Sequence, residues 1–406
     1  MKATAIICEY NPFHNGHKYH IEETRQKCNS DYIIGIMSGP FTQRGTPAIV
    51  NKYKRAETAL NNGCDIIIEI PVRYATSSAE GFAYGAAGIV KATGIVNEIC
   101  FGIESGSLSE LMLISDIIDK EPDAYRSILQ AQLKSGFSYP VARTSALKTY
   151  LEASGSSFDI DISQPNTILA LEYLRACKDL ELNTRTIKRT DAGYHNISLS
   201  DNPDGMCSAS AIRHNVQAGM NIDNYIPYNA SDFLSYPLYE NDFSLQLYMA
   251  LINNINHPEE YLDMPNDLTL RIQNNITKYE NWTQFMTLLK TKQYTYSRIQ
   301  RALCHCMLGI KELPKSKTKT DMYKAPYIRV LGFRKSASAL MKELNQSSVL
   351  PVITKPRDVH SLSDSFARKL LQEDITAAEI YETAFSYTHH KEKKYNEFTR
   401  GMIITE

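Results

Sequence analysis

The first hundred residues alternate between short runs of apolar, largely β-branched residues and longer amphipathic stretches, and few folds accept that rhythm. "ATAIICEY", "DYIIGIMSG", "CDIIIEIP" and "EICFGIES" read as strands. The segments His17 to Cys28, Asn51 to Asn62 and Ser78 to Thr93 between them read as helices. Strands that are apolar almost throughout must be covered on both faces, and helices between consecutive strands are what cover them. The pattern therefore specifies a doubly wound α/β unit on a parallel sheet. Ligands of such sheets lie beyond the carboxyl ends of the strands, near the point where the strand order reverses. Here those ends carry polar or glycine-rich text: "NPFHNGH", "SGPFTQRGTP", "PVRYATSSAE" and "GIESGS".

From Ser107 to about Leu182 the pattern turns helical. The segment "PNTILALEYLRACKDL" sets Ile168, Leu171 and Leu174 on one face, with Pro165 suited to a first helical turn and Asn166 beside it. A strand, "NTRTIKR", then leads through the loop "TDAGYHNISLSDNPDGM" to a helix opening at "CSASAIRHNVQAG". Residues 1–230 thus read as one α/β domain with a helical insertion. Beyond them strand-like runs become rare, and residues 231–406 read as a second, mainly helical domain. A chain of 406 residues that is 43% hydrophobic can bury a core in each.

Charge and cysteine usage narrow the classes further. With 44 basic and 45 acidic residues there is no global field to attract a polyanion, so any nucleic-acid contact needs a local patch. The eight cysteines lie scattered through apolar runs without a CxxC pair, as reduced core thiols do. Cys304, His305 and Cys306 look like a ligand cluster, but successive residues of a helix point to different sides, so they read as structural. No apolar run reaches the roughly 18 residues of a membrane helix, and the start of the chain lacks a signal-peptide pattern. The expectation is a cytoplasmic protein without membrane association.

The turn after the first strand carries the chemistry. "HNGH" places His14 and His17 where a strand hands over to a helix, with Gly16 between them for close backbone approach. Free N–H groups at a helix start favour an anion. Two imidazoles a turn apart can donate to phosphate oxygens as charge gathers on a pentacoordinate phosphorus; the alternative is that they merely cap the helix. Far along the chain, "SASAIR" opens a helix with Ser208 and Ser210 and sets Arg213 one turn in. Serine hydroxyls and N–H groups there can also hold phosphate, although a serine cap followed by a basic residue is common.

Together, HxGH and SxSxIR resemble the signatures of the nucleotidyltransferase superfamily, which holds pantothenate synthetase and the adenylyltransferases. The resemblance implies a HUP (Rossmann-like) fold, attack on the α-phosphate of ATP, loss of pyrophosphate, and Mg²⁺ carried mainly by the phosphates. A closer resemblance is to the bacterial tRNA(Met) cytidine acetate ligase family. "EYNPFHNGHKYH", "SGPFTQRGTPAIVNKYKRAETAL", "PNTILALEY", "IKRTDAGYH" and "SASAIR" stand in that family's order across the α/β domain, and "LGF" near residue 332 is similar as well. That resemblance implies an enzyme joining acetate to ATP as acetyl-adenylate, then passing the acetyl group to N4 of the wobble cytidine of elongator tRNA(Met). It implies no protein partner. By similarity the nucleotide contacts are Ile7, Cys8, Glu9, Tyr10, Asn11, Pro12, Phe13, His14, Asn15, Gly16, His17, Lys18, Tyr19 and His20, with Gly102, Asn166 and Arg189.

Position in the fold adds further candidates. Gln43 and Arg44 follow the second strand and should face the same crevice, Arg44 toward triphosphate or acetate. Lys18 and Lys52 are possible phosphate ligands. For tRNA, the stretch holding Lys315, Lys317, Lys319, Arg334 and Lys335 offers local charge, and Tyr323, Tyr327 and Phe333 interleave aromatic faces. Two competing readings remain at this stage: a small-molecule adenylyltransferase on the same fold, and a non-catalytic RNA-binding protein responding to ATP.

Overall fold

The computed structural model describes residues 1–155, 160–162, 164–189, 205–314, 316–355, 357, 359, 362–392 and 396–406. Its first half alternates as the sequence does: β1 (Ala3–Cys8), α1 (Asn15–Lys27), β2 (Tyr32–Ser38), α2 (Lys52–Asn61), β3 (Ile66–Ile70), α3 (Val72–Ala75), α4 (Ala79–Ala92) and β4 (Val96–Ile103). The insertion follows as α5 (Leu108–Lys120), α6 (Asp123–Lys134), α7 (Tyr139–Ala153) and α8 (Pro165–Asp179), and then β5 (Asn183–Lys188) and α9 (Ala209–Gln217). β1 to β5 are all parallel, in the order β5-β4-β1-β2-β3. The chain builds outward from β1 through β2 to β3, then crosses back to lay β4 on the other side of β1. The order therefore reverses between β1 and β4, and the crevice for a ligand opens above their carboxyl ends.

Helices dominate the second half: α10 (Ala230–Phe233), α11 (Ser244–Asn253), α12 (Asn266–Asn275), α13 (Trp282–Leu289), α14 (Tyr296–Leu308), α15 (Lys319–Met322), α16 (Ser338–Ser347) and α17 (Ser365–His389). Their core is built around Trp282, Phe285, Leu247 and Leu303. Phe41 and Val72, from the segments after β2 and β3, are buried in that same core. Shared burial seats the helical half directly above the carboxyl ends of the sheet. None of these helices is long and apolar enough to cross a membrane, among the described residues.

One feature departs from the expected boundary at residues 230/231. "IRVLGFR" forms β6 (Ile328–Arg334), which pairs antiparallel with the outer edge of β3. β7 (Val352–Ile353) and β8 (Ile403–Thr405) then pair parallel with β6. Among the described residues the sheet has eight strands, and three of them come from the second half of the chain. The reason is electrostatic as well as apolar. Lys52 at the start of α2 is 1% exposed and sits 2.8 Å from Glu69 of β3 and 3.1 Å from Glu397. Arg329 of β6 lies 3.1 Å from Glu69 and also pairs with Glu397. Two cations and two carboxylates satisfy one another out of water, which is the condition for burying charge at all. Lys52 is thus a partner in this cluster and not a phosphate ligand.

Candidate functional site

β1 ends at Cys8, and the next residues turn sharply over the switch point. Tyr10 adopts φ 49°, a left-handed conformation that side chains other than glycine rarely take. Buried neighbours hold it there. Arg55 of α2 is fully buried and donates to the carbonyl oxygens of Glu9 and Gly39, and to Val50 at 2.9 Å. Asn11 accepts the Ile49 N–H at 2.8 Å. The turn after β1 is thereby pinned to the turn after β2 before the first histidine is reached.

α1 begins at Asn15, two residues earlier than the sequence pattern implied, with His14 as its N-cap. His14 Nδ1 accepts the Gly16 N–H at 3.1 Å, and His17 Nδ1 accepts the His14 N–H at 3.3 Å. The rings lie 3.7 Å apart, centroid to centroid, and are tilted by 32°. Capping and phosphate chemistry are therefore compatible, because they use different nitrogens. With Nδ1 accepting, the neutral ring carries its proton on Nε2, the donor end. Burial, aided by His14, Arg189 and His20, pushes the His17 pKa well below its ordinary 6.5, so that ring is a neutral donor. Gly16 has a role beyond ligand approach: a Cβ there would lie 2.9 Å from His14 Cε1. One turn further, burial and Arg189 bring the His20 pKa down to about 4, and its buried Nε2 has no hydrogen-bond partner among the described residues.

Three other elements complete the walls. At the ends of β4 and β5, Gly102 leaves room for Arg189, whose Cγ would be 3.1 Å from a Cβ at position 102. At the start of α8, Asn166 Nδ2 donates to Glu104 at 2.5 Å. Ser208 caps α9 by accepting the Ala211 N–H at 3.1 Å. Arg213 then donates to the Asn11 carbonyl at 2.7 Å and to Ser210 Oγ at 3.1 Å. That guanidinium fixes the SxSxIR helix to the HxGH turn.

These groups enclose a cavity of about 890 Å³, a size suited to a nucleotide with a small co-substrate. Of the nucleotide contacts inferred from sequence, all but Pro12, Phe13, Asn15 and Lys18 line it. Phe13 is buried in the core below, Asn15 donates to Gly205 and Asn224, and Lys18 is exposed. Both Gln43 and Arg44 line it. Gln43 is occupied internally, donating from its backbone to Glu9 Oε1 at 2.6 Å and from its side chain to Ser77 O at 3.0 Å.

Sequence reasoning missed the roof. Arg298 and Arg301, on the first turns of α14, face the cavity together with Asp263, which lies 3.0 Å from Arg301. Two arginines three apart at a helix start were the available signal. What places them is non-local: Gly45, at φ 75°, lets the β2 turn pass so close that a Cβ would lie 2.8 Å from Arg301 Cα. Further along α14, Cys304 and Cys306 are buried in the helical core and His305 is fully buried, 3.0 Å from Leu262 O and 3.1 Å from Thr76 O.

The basic stretch is divided between the two ends of the sheet. Lys319 pairs with Glu80 at the start of α4, near the carboxyl ends of the strands, at 2.5 Å. Arg334 N donates to Asp65 O at the amino end of β3, and Lys335 pairs with Glu406. Lys317 is exposed, and Lys315 lies outside the described residues. Tyr327 is 1% exposed with its hydroxyl on Asp374, so its ring has no face to offer a base. Tyr323 and Phe333 are partly buried against the sheet core.

A parallel sheet whose switch point carries two Nε2–H donors, opposite a serine-capped helix tied to them by arginine, defines a nucleotidyltransferase. Residues 1–397 match the family HIGH Nucleotidyl Transferase. The tRNA(Met) cytidine acetate ligase of Clostridium acetobutylicum is 38% identical over 100% of both chains, and that of Thermoanaerobacter sp. (strain X514) is 38% identical over 95% of this chain and 96% of its own. Among solved structures, TmcAL of Thermotoga maritima in its apo form matches with a TM-score of 0.89 at 28% identity, covering 100% of each chain. The same protein bound with alpha-thio ATP matches with a TM-score of 0.86 at 27% identity, again over 100% of each chain. The chain belongs to the tRNA(Met) cytidine acetate ligase family.

Proposed function

We propose that the protein joins acetate to ATP, releasing pyrophosphate, and passes the acetyl group from the resulting acetyl-adenylate to N4 of the wobble cytidine of elongator tRNA(Met). The products are N4-acetylcytidine and AMP. The observation that carries this reading is the paired histidine cap, with both Nδ1 atoms taken by backbone N–H groups. Acetate oxygen attacks the α-phosphorus, and charge accumulates on the non-bridging oxygens as the bond to pyrophosphate lengthens. Preorganised Nε2–H donors of His14 and His17 stabilise that charge without having to reorganise. Arg213 and the start of α9 hold phosphate on the opposite side, and Gly102, Asn166, Arg189 and His20 Nε2, which has no hydrogen-bond partner among the described residues, suit the nucleoside. Arg44 suits the triphosphate or acetate.

Among the described residues no group of three or more histidines, cysteines or carboxylates is arranged to hold a metal ion. Mg²⁺ would therefore ride on the phosphate oxygens, with Glu9 or Asp263 as the carboxylates within the cavity, and would neutralise triphosphate charge. The tRNA would approach the carboxyl ends of the strands, where Lys319 and Arg298 lie; Arg334 and Lys335 sit at the other end. An unstacked cytidine has to reach the same cavity.

Exchange of labelled pyrophosphate into ATP, with acetate and with longer carboxylates, with and without tRNA, tests the reading. Acetate-dependent exchange is expected. Its absence under every condition would remove the ligase reading. Exchange driven instead by a phosphorylated small molecule would favour an adenylyltransferase.

A further inference from the structure

An acceptor has to enter the cavity somewhere, and exposure locates the opening. Among the described residues that line the cavity, most are buried or half-buried, and six are exposed: Tyr139, Lys188, Gln293, Thr295, Tyr296 and Arg298. A side chain that both lines a cavity and meets solvent stands at its mouth. Two aromatic rings and two cations stand there, and no carboxylate does among the described residues. The chain as a whole holds 45 acidic residues against 44 basic ones, so the sign of the mouth is local.

Both tyrosines sit on rigid supports. Tyr139 is the first residue of α7 and is 53% exposed, whereas Leu147, two turns on and also lining the cavity, is 1% exposed. α7 therefore runs inward from the mouth, over about 12 Å between these two residues. Tyr296 opens α14 and is 49% exposed. Lys290 Nζ lies 5.3 Å from the centroid of its ring and donates to Thr291 O at 2.6 Å, so the ring is steadied by a cation that is itself anchored. Two residues further, the Arg298 guanidinium rests 5.0 Å from the Tyr294 ring, and the neighbouring Asp263 is bound by Arg301.

We propose that Tyr139 and Tyr296 are the stacking surface for the target cytidine as it swings out of the anticodon loop, with Arg298 on an adjacent phosphate. The assignment rests on the ligase reading above. Aromatic faces beside cations, without acids, suit a polyanion whose bases are unstacked; a duplex keeps its base faces covered. Stacking on the rings replaces the stacking that the base gives up in the loop. Cytosine N4 lies across the ring from the nitrogen that carries the ribose, so a base held at the mouth with its ribose outside points N4 inward.

Tyr139→Ala and Tyr296→Ala, each beside its phenylalanine counterpart, test this on the full chain. Substitutions at half-exposed helix starts spare the core, and acetate-dependent pyrophosphate exchange without tRNA reports an intact ATP site; it is expected to stay within about twofold of the parent. The affinity for unmodified tRNA(Met) is expected to fall roughly five- to a hundredfold with each alanine and to stay near the parent value with phenylalanine, which keeps the ring. The same RNA lacking only its wobble base supplies the second arm: parent and alanine variants should bind it alike. An equal loss on both RNAs would put the rings against another part of the tRNA and overturn the assignment. So would unchanged affinity, a phenylalanine loss as large as that of alanine, or a fall in exchange as large as the fall in affinity. Absence of acetate-dependent exchange in the unsubstituted protein would overturn the ligase reading and this one with it, whereas the other outcomes overturn only the tyrosines.

Discussion

Replacing Gly16 by alanine should separate the stability of the protein from its chemistry. Gly16 is the second residue of α1, and no left-handed backbone is needed there. Alanine is favoured over glycine in a helix by about 1 kcal/mol, so propensity alone predicts a small gain in stability. The added Cβ, however, would lie 2.9 Å from His14 Cε1 and 3.0 Å from its Nδ1, closer than such contacts permit. The imidazole has to swing away by several tenths of an ångström or more, breaking its bond to the residue-16 N–H and moving Nε2 off the phosphate. Loss of one preorganised donor of this kind costs about 2.7–4 kcal/mol of transition-state stabilisation, roughly 10²–10³ in rate. Lost capping, about 1 kcal/mol, offsets the propensity gain. The expected outcome is a melting temperature within a few degrees of the parent and acetate-dependent pyrophosphate exchange down by roughly two to three orders of magnitude. Exchange within twofold of the parent would refute the claim that the position of the His14 ring carries the chemistry.

Two further perturbations follow from the same contacts. Arg213→Lys keeps a charge but cannot hold Asn11 O and Ser210 Oγ with one planar fork; losing a charged hydrogen bond of about 1.5–3 kcal/mol should lower kcat/KM for ATP in the exchange assay roughly ten- to a hundredfold, and a wild-type value would sever the proposed link between the two motifs. Glu397→Gln addresses the buried cluster. Burial alone would raise the Glu397 pKa, but Lys52 and Arg329 bring it from the ordinary 4.5 to about 2. A depressed pKa means the ionised carboxylate stabilises the fold, fully above pH 4.5 and progressively less as pH falls toward 2. The variant should lose about 3–5 kcal/mol at neutral pH and show a flatter acid-unfolding curve in that window; an unchanged slope would mean that the pairing contributes no acid sensitivity.

How much of this was legible in the chain depended on how local each cause is. β1 to β4 announced themselves because burial on both faces writes an apolar run into each strand, and the helices between them carry their own caps, Asn51 and Ser78 among them. The HxGH and SxSxIR segments were readable because each packs its function into a few consecutive residues. β6 was not. "IRVLGFR" sits in a basic stretch, and its Arg329 looks like a surface charge until Glu69 and Glu397 are brought to it from 260 residues upstream and 68 downstream. Arg298 and Arg301 were missed for a related reason: only the packing of α14 against Gly45 turns two helix-surface arginines into the roof of a cavity. The basic stretch does not gather on one face, because nearness in sequence is not nearness in space. Lys319 and Arg334 are fifteen positions apart in the chain, yet β6 runs the length of the sheet between them.

The ionic knot around Lys52 makes the frame of the site a long-range property. Lys52 and Glu69 lie among the first hundred residues, but the residues that complete their neutralisation, Arg329 and Glu397, come from some 260 to 345 positions further along the chain. α2 carries Arg55, which grips Glu9, and is itself held at its first residue by this cluster. The turn that bears the chemistry is thus aimed by charges drawn from both halves of the sequence.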